Sequence, residues 1–119
     1  MVTRRPRQRF RDILDAINDL RAFSSGMDQN MLETDRLKRF AIERAFLIVA
    51  EAATKLGDLA EKLEPSVPWH DIRALGNVLR HDYDGVDIKD LWGSLQNDLE
   101  PLREACERAL EHPDLQGSD

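Results

Sequence analysis

From Asp35 to Leu63 the chain carries apolar residues at Leu37, Ala41, Ala45, Ile48, Ala52, Leu56, Leu59 and Leu63 and meets no proline until Pro65. Recurrence at three and four residues is the period of an α-helix, and proline stops it by lacking an N–H and crowding the preceding turn. The spacing predicts a helix of roughly eight turns at 3.6 residues each. Between Ala45 and Ala53 every residue except Glu51 is apolar, with Phe46 and Leu47 off the main stripe. A helix that is apolar on several sides needs cover on several sides, and a monomeric four-helix bundle supplies too little. A homodimer is therefore expected, in which this helix serves both the protomer core and the subunit interface.

Three further helices follow from the same pattern. Phe10, Ile13, Leu14, Ile17 and Leu20 predict a helix over about 7–23, closed by Ser24-Ser25-Gly26, with room for a short helical turn over Asp28–Thr34. Ser66-Val67-Pro68 opens the next, and Gly85 closes it. Asp87 is a candidate N-cap for a helix bearing Ile88, Leu91, Trp92, Leu95, Leu99, Leu102, Cys106 and Leu110, with a kink expected at Pro101. With no alternating β-branched run and only short connections, the expected fold is an all-α, antiparallel four- to five-helix bundle. At 119 residues the chain fits a single domain spanning 1–119, with a basic start over about 1–8 and a polar tail over about 112–119.

The net charge of −6 argues against a surface that grips duplex nucleic acid by broad phosphate neutralisation, so any contact with nucleic acid is expected to be local. Arg4, Arg5, Arg7, Arg9 and Arg11 make the N-terminus locally basic. They suit either an arm for phosphates or the solvated surface of a helix start, and the second reading is favoured. Cys106 is the only cysteine, which excludes an intramolecular disulfide and a thiolate zinc site and fits a reducing cytoplasm, with a packing role for the thiol. No stretch approaches the ~20 apolar residues of a membrane span, and the basic start lacks the apolar segment of a signal peptide.

Chemistry concentrates between Pro68 and Tyr83. At about 100° per residue, Arg73, Asn77, Arg80 and His81 share one sector of about 100°, while Ile72, Leu75, Leu79 and Tyr83 turn elsewhere. Cleaving a phosphodiester without metal needs a base for the attacking hydroxyl, an acid for the departing oxygen and positive charge on the transition state. Imidazole serves both proton transfers, and guanidinium clamps a phosphate. His81 is the candidate for proton transfer, Arg73 first and Arg80 second for the phosphate, and Asn77 for orienting either. Each is also explained as a solvated helix residue, the arginines pairing with Asp71, Asp82 or Asp84. Glu51 pairs with Lys55 at helical spacing or borders the dimer cleft and positions Arg73 or Arg80. His70 and His112 lack metal-ligand spacing with His81, and no acidic cluster suggests Mg²⁺, so neither metal nor cofactor is expected.

Pro68-Trp69, Ile72, Asn77 and His81-Asp82-Tyr83 together resemble the signature of the HepT-like family of HEPN ribonuclease toxins, and the likeness in plan extends over about 8–111. The family pattern places arginine immediately before the asparagine, and this chain has Gly76 there. A glycine inside a helix points to close approach of another backbone or to space left for a ligand. The resemblance implies a dimeric, metal-independent RNA endonuclease acting on an RNA substrate. It also implies a cognate nucleotidyltransferase antitoxin that transfers AMP to Tyr83 and silences the nuclease. Tyr83 is otherwise read as a buried ring with its hydroxyl hydrogen-bonded. Two rival readings remain: a catalytically inactive HEPN module with a nucleotide-binding or regulatory role, which Gly76 supports, and a plain helical scaffold.

Overall fold

The computed structural model describes residues 3–81 and 83–116, leaving the Tyr83 side chain outside that description. Every regular element among these residues is helical: α1 (Pro6–Ser24), α2 (Gln29–Thr34), α3 (Arg36–Leu56), α4 (Asp58–Leu63), α5 (Trp69–His81), α6 (Ile88–Asn97) and α7 (Leu99–Glu111), with 3₁₀ turns at Tyr83–Gly85 and Pro113–Leu115. Helix starts follow the sequence closely. Asp28, Asp35 and Asp87 each cap a helix by accepting backbone N–H bonds, from Met31, from Lys38, and from Lys89 and Asp90 respectively.

Two predicted helices are broken. The long one divides at Gly57, whose φ of 57° only glycine adopts without strain, so α3 ends there and α4 turns away. The fourth divides at Asp98, three residues before the expected kink. Pro101 then lies in the first turn of α7, where its missing N–H leaves no intrahelical bond unmade.

The core forms where α1 packs along α3 and α7 packs on α1, with α5 on the other flank of α3. Phe10, Ile13, Ile17 and Leu20 of α1 meet Ile42, Ala45, Val49, Ala53 and Leu56 of α3, all essentially inaccessible. The inward stripe of α3 is thus offset from the one read in the sequence. Ala45, Ala52 and Leu56 belong to it and Phe46 joins it, but Leu37 is 80% exposed. Cys106 is buried against this core, and burial, with Glu64 and Glu107 nearby, pushes its thiol up to about 12. Arg21 of α1 and Arg103 of α7 both bond Glu100, tying the two helices at the surface and holding that carboxyl down to about 2.

Both ends are tied in. Thr3 N–H donates to the Lys55 carbonyl at 2.9 Å, and Arg7 donates to the Leu110 carbonyl at 2.8 Å. These bonds suit the reading of the basic start as helix surface. In the segment read as a polar tail, the Pro113–Leu115 turn buries Leu115 to 2% exposure.

Candidate active site

The segment 68–83 is anchored before it becomes chemical. Trp69 is 1% exposed and its indole N–H donates to the Glu64 carbonyl at 2.9 Å. The Glu64 carboxylate in turn accepts Nε and Nη2 of Arg108 from α7, at 3.1 and 2.8 Å. A buried ring and a charge-assisted pair therefore fix where α5 begins.

Arg73 completes the anchor. Its Nε and Nη2 donate to the Ala53 carbonyl at 3.2 and 3.1 Å, and Nη2 also reaches the Gly57 carbonyl at 3.0 Å. Nη1 and Nη2 grip the Glu61 carboxylate as a fork at 2.7 and 3.0 Å. The last carbonyls of a helix have no intrahelical donor and carry its negative pole, so a guanidinium satisfies both needs at the end of α3. Its hydrogen bonds hold the Glu61 carboxyl below the usual range. Among the described residues the partners of Arg73 are thus Glu61 and backbone, in place of Asp71 or Asp84, and the group preferred from sequence for phosphate is engaged in holding three helices together.

One turn on, Gly76 is buried against α3. A Cβ built on it would stand 2.4 Å from the Ala50 Cβ, well inside van der Waals contact. Glycine here lets the two helices approach more closely than any side chain permits. Because Gly76 meets Ala50 while Arg73 reaches Ala53 and Gly57, α3 and α5 run antiparallel.

Beyond this crossing α5 presents a polar edge. Asn77, Arg80 and His81 are all exposed, and Arg80 Nη2 donates to Asn77 Oδ1 at 2.9 Å. His81 ends the helix, and its imidazole makes no hydrogen bond among the described residues. Tyr83 begins the following 3₁₀ turn, but its side chain and all of Asp82 lie outside the described residues, so the expectation for the phenol is untouched. Glu51 pairs with Arg44 at 3.4 Å, in place of Lys55, and contacts neither Arg73 nor Arg80 in the protomer. Among the described residues no three His, Cys, Asp or Glu side chains group as a metal site requires, and no helix is long and apolar enough to cross a membrane.

The outer face of α3 borders this edge. At about 100° per residue Leu37, Phe40, Arg44, Leu47, Ile48 and Glu51 share about 100° of arc, and Leu47 lies about 60° round from Ala50, where α5 sits. Phe40 is 48% exposed, with the Arg36 and Arg39 guanidinium groups 5.3 and 5.7 Å from its ring centre. On the opposite side of α5 a cavity of about 490 Å³ is lined by Phe46, Val49, Ile72, Leu75, Leu99 and Leu102. Its rim carries Asp71, Asp98 and Glu104 against one arginine, Arg108, already paired with Glu64. That balance repels a phosphodiester.

Three features were not read from the sequence: Glu61 as the partner of Arg73, the break at Gly57, and Ala50 as the partner of Gly76. The pair Gly57-Asp58, a helix stop followed by a first-turn acid, was the signal available for the break.

Residues 13–109 match the family described as Ribonuclease HepT-like. Over 97 residues the chain is 34% identical to a Methanocaldococcus jannaschii protein named "Putative RNase MJ1380", an alignment covering 81% of this chain and 88% of that one. It is 29% identical over 97 residues to "Probable ribonuclease HepT" of Thermococcus cleftensis, covering 82% and 88%. With "Putative RNase MJ1216" of M. jannaschii it shares 25% over 109 residues, 91% and 88% of the two chains. No solved structure matches. A match over most of the chain, on the helical plan and the segment just described, places the protein in the HepT-like ribonuclease family.

Proposed function

We propose that the protein is the toxin of a toxin–antitoxin pair: a metal-independent RNA endonuclease that works as a homodimer in the cytoplasm. One juxtaposition carries this reading. Arg80 is held on Asn77, one residue from His81, and all three are exposed on the edge of α5. In the proposed reaction the ribose 2′-oxygen forms a bond to phosphorus as the bond to the 5′-oxygen breaks. A base takes the 2′ proton and an acid supplies one to the leaving oxygen, both roles suited to imidazole. His81 performs proton transfer, Arg80 meets the phosphate, and Asn77 orients the guanidinium.

The homodimer is supported by the outer face of α3, since Leu37 and Phe40 are exposed there and gain from burial against a second copy. Pairing there brings two His81 side chains toward one cleft, which Glu51 borders. The antitoxin is a nucleotidyltransferase that joins AMP to Tyr83, two residues from His81. The adduct adds bulk and negative charge where RNA phosphates must approach.

A second reading, a non-catalytic HEPN module with a nucleotide-binding or regulatory role, is favoured by Gly76 at the family's arginine position and by the engagement of Arg73. Purified wild-type protein and His81→Ala incubated with total RNA distinguish the two. Cutting lost in the variant supports the nuclease, cutting that persists rejects His81, and no cutting by either folded protein favours the second reading.

A further inference from the structure

We propose that Gly76 is a positioning residue whose missing side chain is the seat of the Arg80 guanidinium. The inference rests on the reading of the α5 edge as the place that meets phosphate, and it explains how a chain with glycine at 76 presents a guanidinium there.

Three observations meet at this position. Gly76 is buried in the crossing with α3, its Cβ position 2.4 Å from Ala50 Cβ. Both terminal nitrogens of Arg80 lie 3.7 Å from that same Cβ position. Arg80 Nη2 donates to Asn77 Oδ1 at 2.9 Å. A helical side chain leans toward the helix N-terminus and covers the turn before it, so an arginine at 80 folds back over residue 76. With no side chain there, the guanidinium settles into the space and finds the Asn77 carbonyl beside it.

The consequence is preorganisation. An exposed arginine samples many rotamers, and a phosphate must restrict them on binding. An arginine resting on a glycine and hydrogen-bonded to an amide is already restricted, with donors left over for an incoming anion. Side-chain atoms beyond Cβ at position 76 that run toward Arg80 meet its guanidinium, whose terminal nitrogens already lie 3.7 Å from the Cβ position. The helix crossing thus requires glycine at 76, and the seat requires that nothing larger than a Cβ stand there.

The two requirements separate in a background of Ala50→Gly, which removes the 2.4 Å encounter. In that background Gly76→Ala brings Cβ only into ordinary contact with Arg80, whereas Gly76→Leu fills the seat. Uniformly ¹⁵N-labelled protein gives an Arg80 Nε–H signal, assigned by its loss in Arg80→Ala, and cleavage of a single-stranded RNA gives an initial rate. The seat predicts that leucine shifts the Arg80 signal and slows cleavage at least about tenfold, while alanine does neither. In the Arg80→Ala background, Gly76→Leu slows nothing further, a coupling that mere damage to the fold does not produce. Gly76→Ser serves if the leucine variant does not fold by circular dichroism. An unmoved Arg80 signal in the leucine or serine variant overturns the inference, as does an equal slowing with and without Arg80. If the signal moves but Arg80→Ala cleaves at the wild-type rate, the seat stands and the phosphate role of Arg80 falls. The signal decides the seat even for a chain that cuts no RNA.

Discussion

Replacing Arg73 by alanine removes five hydrogen bonds: two to the Ala53 carbonyl, one to that of Gly57 and two to the Glu61 carboxylate. The Arg73 side chain is 24% exposed and the Glu61 side chain 45%, so the ion pair is the weaker part and the helix-end bonds the stronger. A charged donor on part-buried carbonyls is worth about 1.5–3 kcal/mol net, and the half-exposed pair adds at most ~1 kcal/mol. Water recovers part of the carbonyl loss, which leaves a destabilisation of about 2–3 kcal/mol, or about 8–12 °C in Tm for a chain of this size. Urea melts followed by circular dichroism, with Glu61→Gln completing a double-mutant cycle, measure both parts.

The pH dependence has a fixed sign. Glu61 has a depressed carboxyl, so its contribution is full above the unfolded value of 4.5 and is lost as pH falls through the folded one. The gap between wild type and Arg73→Ala therefore narrows in acid and does not close, because the carbonyl bonds remain. An Arg73→Ala protein as stable as wild type but unable to cleave RNA refutes the reasoning and returns Arg73 to the chemistry.

Gly57→Ala forces a side chain into φ 57°, ψ −145°, a region that only glycine occupies freely, and is expected to destabilise by about 1–3 kcal/mol in the same melts. Glu100→Gln removes a carboxylate bonded by Arg21 and Arg103. Its stability deficit is constant above about pH 4.5 and disappears as pH falls toward 2, which melts across that range measure. Leu37→Asp with Phe40→Asp leaves protomer stability nearly unchanged, because both side chains are exposed, and shifts sedimentation from dimer to monomer. An unchanged sedimentation profile removes the outer face of α3 from the interface.

Much of this architecture was legible because helix signals are local. The helix starts at Asp28 and Asp35, the cap at Asp87 and the apolar spacing in α1 need only a few neighbouring residues to be read. The inward stripe of α3 was less legible, because alanines and leucines occur on both its faces and the choice of inward face depends on where α1 and α5 pack. The same holds for Arg73. Its type and spacing suit phosphate, but its partners are carbonyls about 20 residues away and a carboxylate 12 residues away on α4, contacts made only once the chain turns at Gly57. Gly76 was better marked, since a glycine inside a helix already pointed to a close approach or to room for a ligand, though not that Ala50 would be the partner. The apolar run from Ala45 to Ala53 called for cover on several sides without saying what supplies it, and Ala45, Phe46, Val49, Ala50, Ala52 and Ala53 are buried within the protomer.

On the proposed function, the exposed edge formed by Asn77, Arg80 and His81 handles the phosphodiester, while Arg73 holds the helices that present it. Initial cleavage rates on a fluorescent single-stranded RNA, per folded molecule, test it most directly. The account predicts that Arg80→Ala and His81→Ala each lose about 10²-fold or more and that Arg73→Ala, corrected for its folded fraction, stays within a few-fold of wild type. Wild-type rates in Arg80→Ala or His81→Ala, with the loss appearing in Arg73→Ala instead, would contradict it.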